Sequence, residues 1–352
     1  MESAEASSAT SHKKPRRSAG PGALTALTLR LTKQFAAPNK GNKNVIFSPL
    51  SIYSPLSLIA AGAGGETLDE LLTVLGAGSR SDLAEFVGGV AERALANGSA
   101  SGGPHVSFVC GVFHDGNLIT NVLSPRNLSP DTRFVLANAI YFKGKWEKPF
   151  TEESTKVEKF HLLNGSTVNT PLMRKDGGRA SSSPRTTGSR FHMCVFLPDA
   201  RDGLLRLVDL ASGPEDFIHD HLPTDKVDVG KLRLPRCKMS FESKLNQMLK
   251  EMGVGAAFDP DRANLSDMAE DDGSGLPLVV QDVFHKAIIE VNEEGTKAAA
   301  FTYGGMMVGC AAPWIPRQIV DFIADHPFFF FIIEQQSRAV VFAGYVLEPS
   351  KE

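Results

Sequence analysis

Hydrophobic spacing changes period near residue 100, and that change confines the chain to an α+β architecture. Before it, residues 23–37 place Leu24, Leu27, Leu31 and Phe35 at helical intervals and end in a Pro/Asn/Gly break. Ser48 followed by Pro49 reads as an N-cap with proline at the first helical position, opening a small-residue helix through Ala63. Pro55 falls inside that helix and is expected to bend or shorten it. After Gly64-Gly65, residues 67–74 read as another helix, with Thr67 as N-cap and Asp69 and Glu70 in the first turn. Beyond a loop at 99–105 the period moves toward two. Residues 105–113, 134–142, 191–197, 227–234, 279–283 and 287–291 read as strands, with a helix at 241–252 between them. The basic, low-complexity stretch 174–190 reads as an exposed loop. At the C-terminus, residues 328–333 and 339–347 flank Gln335-Gln336-Ser337-Arg338 and predict a hairpin.

Length alone allows two ordinary domains in 352 residues, and an apolar fraction of 42% suffices for a large core. The net charge of −3 supplies no bulk field toward nucleic acid or an anionic membrane, so neither is expected as a partner. Cys110, Cys194, Cys237 and Cys310 lie far apart, without metal-ligand spacing, and read as reduced thiols. No metal and no cofactor is expected. The first twenty-two residues are small and polar, with no apolar run of a secretory signal. They read as a disordered tail, and the basic cluster Lys13, Lys14, Arg16 and Arg17 resembles a nuclear-localisation patch. A cytoplasmic or nucleocytoplasmic location is expected, with an extracellular one left open. In that setting the sequons Asn97-Gly98-Ser99 and Asn164-Gly165-Ser166 carry no meaning. The uncharged stretches 45–65 and 298–316 approach bilayer-spanning length, but their prolines, serines and glycines assign them to a soluble protein.

Four segments in order resemble the serpin family, from about residue 23 to the end. NVIFSPLSI (44–52), continued by AAGAGGETLDELL (60–72), is similar to the family's early helix pair. FVLANAIYFKGKWEKPF (134–150) is similar to its central strand and following turn. FHKAIIEVNEEGTKAAA (284–300) resembles the strand that enters the reactive loop and the loop's hinge, and FIADHPFFFFI (322–332) with VVFAGYVLEP (340–349) resembles the C-terminal signature. The resemblance implies one α+β serpin domain over 23–352: N-terminal helices, a large mixed β-sheet, smaller sheets and an exposed reactive-centre loop. The wording of the motifs is plant-like. The implied activity is not that of an enzyme but of a suicide substrate: a serine protease, or a cysteine protease, forms an acyl-enzyme on the loop. Loop insertion into the sheet then distorts the protease. The inhibitor is expected to be a monomer.

The implied hinge is Glu293, Glu294, Gly295, Thr296, Lys297, Ala298, Ala299 and Ala300. Side chains alternate faces along a strand, so an inserted loop must present one small set to the sheet interior. Thr296, Ala298, Ala300, Thr302 and Gly304 form such a set; Lys297, Ala299, Phe301 and Tyr303 form the larger one. Gly295 supplies a backbone pivot. Counting from Glu293-Glu294 as in the family places the scissile bond at Gly309-Cys310, with Met307 and Val308 as alternative contact residues. A protease accepting small or apolar residues fits this loop better than a trypsin-like one.

The chain also departs from the family. After VSFVCGVFHD (106–115) the family has several tens of residues, including an edge strand and a helix across the main sheet, whereas this chain is contracted near 115–117 and again at 174–190. Loss of an edge strand and a covering helix would expose apolar sheet surface and reduce stored strain, so a non-inhibitory serpin with an interaction or storage role is the alternative. No GxSxG, HExxH, P-loop or GxGxxG motif supports an enzyme. Asp325 and His326 read as a structural turn with a hydrogen-bonded histidine.

Overall fold

Every residue of Phe328–Glu334 and of Val340–Val346 is buried, so this hairpin must be covered on both faces. A computed structural model of the chain describes residues 19–37, 43–101, 104–114, 134–146, 148–180, 190–212, 217–221, 227–268, 278–294 and 319–351. The elements in order are α1 (Pro21–Phe35), β1 (Val45–Phe47), α2 (Pro49–Gly62), α3 (Gly65–Leu75), α4 (Arg80–Ala94), β2 (His105–His114), β3 (Phe134–Lys143), β4 (Lys156–His161), β5 (Thr167–Ala180) and β6 (Phe191–Phe196). There follow α5 (Leu204–Ala211), α6 (Phe217–Asp220), β7 (Val227–Pro235), β8 (Cys237–Lys244), α7 (Asn246–Glu251), β9 (Asp282–Val291), β10 (Ile319–Ile323), β11 (Phe328–Glu334) and β12 (Val340–Val346).

Among the described residues the strands make three four-stranded sheets, ordered β1-β12-β11-β6, β10-β7-β5-β4 and β2-β3-β9-β8. The first carries the doubly covered hairpin. Phe329 stacks on Phe196 of β6 at 4.8 Å between ring centroids and meets Phe331 edge-on at 5.1 Å. Helices α1 and α2 both pack against β12, and cover on both faces explains why β11 and β12 show no polar alternation. The third sheet is the mixed one: β2/β3 and β8/β9 are antiparallel, and β3/β9 are parallel.

Helix α2 sits beneath that mixed sheet. Ser48 caps it, its Oγ accepting from the Ser51 N–H at 3.2 Å with Pro49 in the first turn. The helix runs through Pro55 to Gly62 and is not shortened. Ser54 and Ser57 return their hydroxyls to the carbonyls of Leu50 and Tyr53, both at 2.9 Å, which satisfies polar side chains on a helix buried nearly all round.

Several expectations need correction. Thr67 is not an N-cap: α3 starts at Gly65 behind Gly64, whose N–H donates to the Asn264 carbonyl, while the buried Thr67 hydroxyl accepts from the Asn264 N–H at 3.0 Å. Residues 174–180 are not loop but the end of β5, paired with β7. Their basic character is tolerated because Glu158 of β4 lies 3.4 Å from Arg174 and 2.9 Å from Arg233. Residues 241–244 belong to β8, so only Asn246–Glu251 of the expected 241–252 helix is helical. The two short strands expected at 279–283 and 287–291 are one strand, β9, since His285 and Lys286 simply point to opposite faces of it. The first helix begins at Pro21, inside the expected 1–22 tail, and α4 lies where no element is expected. Residues 1–18, 115–133 and 181–189 are outside the described set.

Gly344 is where the first sheet is tightest. A Cβ there would strike the Val45 carbonyl oxygen and lie 3.1 Å from Ile46 Cα, both backbone atoms of β1. Gly344→Ala is expected to lower stability by about 1–3 kcal/mol, as overpacking does, read as a fall in the urea midpoint at unchanged m-value.

Candidate functional site

β9 leads into the implied hinge, and its partner β3 lies directly beside it in parallel register, from Val135↔Asp282 to Lys143↔Glu290. A chain leaving the end of β9 and reversing could lie between these two strands only if they first separate. The contacts that hold them together therefore define the site.

On the inner face the contact is a buried polar cluster. Asn138 of β3 and His285 of β9 are register partners, and both face the capped end of α2. The Ser48 N–H donates to His285 Nε2 at 3.1 Å, so Nδ1 carries the proton and donates to Asn138 Oδ1. Ser51 Oγ lies 3.1 Å from the same Asn138 oxygen and 3.1 Å from the Ser48 carbonyl. Burial pushes the His285 pKa down to about 3. A second proton, on Nε2, would also confront the Ser48 N–H. Asn138 Nδ2 is buried without a hydrogen-bond partner.

At the loop end the contacts are ionic and aromatic. Glu293 is only 5% exposed; its Oε1 accepts from Thr155 Oγ1 at 2.7 Å and lies 3.6 Å from Arg236. Trp146 Nε1 donates to the Asn292 carbonyl at 2.7 Å and its ring meets Phe150 edge-on. Glu294, largely exposed, lies 2.9 Å from Lys143. Of the hinge predicted from sequence, Glu293 and Glu294 are thus placed at the end of β9. Gly295, Thr296, Lys297, Ala298, Ala299 and Ala300 lie outside the described residues, as do Gly309, Cys310, Met307 and Val308. Sequence reasoning gave no role to Lys143 or Trp146, although both stand in the quoted FKGKW segment, and none to Asn138, Thr155, Arg236 or His285.

The remaining candidates stay structural. His326 bonds the Asp325 carboxylate at 2.8 Å and the Pro198 carbonyl at 2.7 Å, which fixes a turn as expected. Cys110, Cys194 and Cys237 are free, and burial pushes their thiols up to about 11, 12 and 12, away from reactivity. Among the described residues no group of three or more His, Cys, Asp or Glu could hold a metal, and no helix is long and apolar enough to cross a membrane.

The family model described as "Serpin (serine protease inhibitor)" matches the chain over residues 22–118 and 114–349. Serpin-Z2B of Oryza sativa subsp. japonica is 41% identical, covering 94% of this chain and 97% of that protein. Serpin-Z7 of Hordeum vulgare is 36% identical over 93% and 95%. The structure of Arabidopsis AtSerpin1 in its native stressed conformation superposes with a TM-score of 0.81 at 30% identity, covering 94% and 98%.

The depressed pKa of His285 has a pH consequence. The unfolded chain binds this proton near pH 6.5, the folded one only near 3, so between them the unfolded state holds more protons and stability rises with pH. Stability from this residue is complete above about 6.5 and is lost as pH falls toward 3. His285→Asn is expected to flatten the stability-versus-pH curve in that window, measured by urea unfolding across a pH series.

Proposed function

The chain belongs to the serpin family, a family of protease inhibitors rather than enzymes, and from that premise we propose that it inhibits a serine protease as a suicide substrate. The observation that carries this reading is the direct parallel pairing of β3 and β9. An inserting strand that follows β9 would run antiparallel to both, and the vacancy for it is created by parting two strands whose inner face carries the polar pair Asn138 and His285 among apolar neighbours. The small alternating set Thr296, Ala298, Ala300, Thr302 and Gly304 suits the sheet interior, and Gly295 suits the reversal. The protease attacks the loop and supplies the catalytic groups. With the acyl bond formed, insertion carries the bound protease away before water completes hydrolysis. Gly309-Cys310 is the proposed reactive bond, and a protease accepting small or apolar residues is the proposed target.

A non-inhibitory role is supported by one observation. Strand β2 ends its sheet among the described residues, and Val109 on it is 54% exposed. A scaffold shortened here stores less strain to release.

Incubation with an elastase-like or chymotrypsin-like protease is expected to yield an SDS-resistant complex and a cleaved form that melts at higher temperature. Cleavage with neither complex nor stabilisation would decide for the non-inhibitory role. Gly309→Arg is expected to redirect the loop to trypsin-like proteases, seen as a new covalent complex with trypsin and a fragment ending at residue 309.

A further inference from the structure

The outward face of the β3/β9 pair carries a second fastening, distinct from the buried histidine cluster. Lys143, the last residue of β3, places its ammonium 3.3 Å from Glu290 of β9 and 2.9 Å from Glu294 at the loop root. Glu290 is also held by the Tyr141 hydroxyl of β3 at 3.1 Å and by Asn292 Nδ2 at 3.0 Å. The Glu294 N–H donates to Asn292 Oδ1 at 3.1 Å, and the ring of His105 on β2 lies edge-on to Tyr141 at 5.4 Å. From β8, Lys238 is the register partner of Glu290. The cluster therefore joins both strands and the first residues of the loop at one point.

We propose that Lys143 is a positioning residue that gates the separation of β3 from β9 and so sets the rate at which the loop enters the sheet. This rests on the insertion reading above and assigns its rate control. Insertion requires the chain to turn back near Gly295 and run between β3 and β9. That path pulls Glu294 away from Lys143 and parts Lys143 and Tyr141 from Glu290 in one motion. The ion pairs Lys286–Glu242 and Lys244–Asp282 do not resist it, because they join β9 to β8, strands that stay paired. The Lys143 side chain is 30% exposed and that of Glu290 27%, so each pair contributes little to global stability. Their leverage is on the opening step, because they sit where the strands must first part. Glu294, then Glu290, holds the ammonium above the usual lysine range.

The test uses the full chain and the synthetic peptide of residues 296–308 as a mobile strand. Trp314→Phe leaves Trp146, bonded to Asn292 at the loop root, as the sole tryptophan reporter of opening. Peptide incorporation is followed by Trp146 fluorescence and native gel shift. Lys143→Met is expected to accelerate incorporation about fivefold to tenfold, the range two partly exposed ion pairs can supply. Salt is expected to accelerate incorporation into the unsubstituted chain, and Lys143→Met is expected to abolish that acceleration. Lys244→Met, which breaks a pair between strands that stay together, is expected to leave the rate within about twofold. Equal incorporation rates with unchanged salt dependence in all variants would overturn the gate and leave insertion standing. Equal acceleration by Lys143→Met and Lys244→Met would assign the effect to general loosening and also overturn the gate. No incorporation into any variant would remove the insertion reading and the gate with it.

Discussion

The parallel contact between β3 and β9 is the constraint around which the rest of the molecule is arranged. Most sheet cores join neighbouring strands with apolar side chains on the covered face, and separating them then costs the full hydrophobic burial. Here the register pair at the middle of the covered face is Asn138 opposite His285, with Ser48 and Ser51 beneath. A polar contact of this kind is directional. Intact, it fixes register and orientation; disturbed, it leaves buried donors and acceptors unpaired, which is costly until new partners arrive. The unpartnered Asn138 Nδ2 already shows spare capacity at that position. The flanking inner pairs Leu136/Val283, Ile140/Ala287 and Phe142/Ile289 are buried and apolar, so the seam joins one directional polar pair to ordinary hydrophobic contact, and a strand offering backbone groups on both sides would replace the ladder lost when it opens.

The surrounding elements serve this seam. Helix α2 is capped by Ser48, and that residue's N–H is also the donor that sets the tautomer of His285. One serine thus starts a helix and anchors a sheet. The doubly buried hairpin β11/β12 supplies the opposite requirement, a platform that does not yield. Its aromatic rows against β6, and its close approach to β1 at Gly344, leave α1 and α2 seated on a rigid surface.

How much of this was legible in sequence follows from the range of each interaction. Local chemistry was readable: the Ser48-Pro49 cap, the C-terminal hairpin and the change of period that separates helices from strands all depend on near neighbours. The misreadings share a cause. Residues 174–180 look like basic loop until Glu158, on another strand, neutralises Arg174. Residues 241–244 look helical because Leu245, Met248 and Leu249 continue an apolar period beyond the strand's end. Thr67 looks like a cap because Asn264, its actual partner, is 197 positions away. In the site, the expected hinge rests on a pattern of small residues by parity, a property of the loop's own sequence, and that set lies outside the described residues. His285, Thr155 and Arg236 were not, because each acquires its role only from a residue of another strand or helix: Ser48 and Asn138 for the first, Glu293 for the other two.

The same distinction bears on the contraction expected from sequence. A loop can keep every feature that insertion demands, since those features are local, while the sheet that must accept it loses strands elsewhere. The two requirements are encoded in separate parts of the chain and can diverge independently. What ties them together physically is the energy of the opened seam. In the proposed mechanism, insertion replaces one ladder of hydrogen bonds between β3 and β9 by two and releases whatever strain the native arrangement holds. A sheet that ends at β2 among the described residues has fewer strands to shift as the seam widens. In the proposed mechanism that would lower the resistance to opening as well as the stored strain. The balance between these two effects, rather than the loop sequence, decides whether opening outpaces hydrolysis of the acyl bond. The contacts at His285 and Lys143 belong to the closed seam, so in the proposed mechanism strengthening them both slows opening and favours the native state over the inserted one.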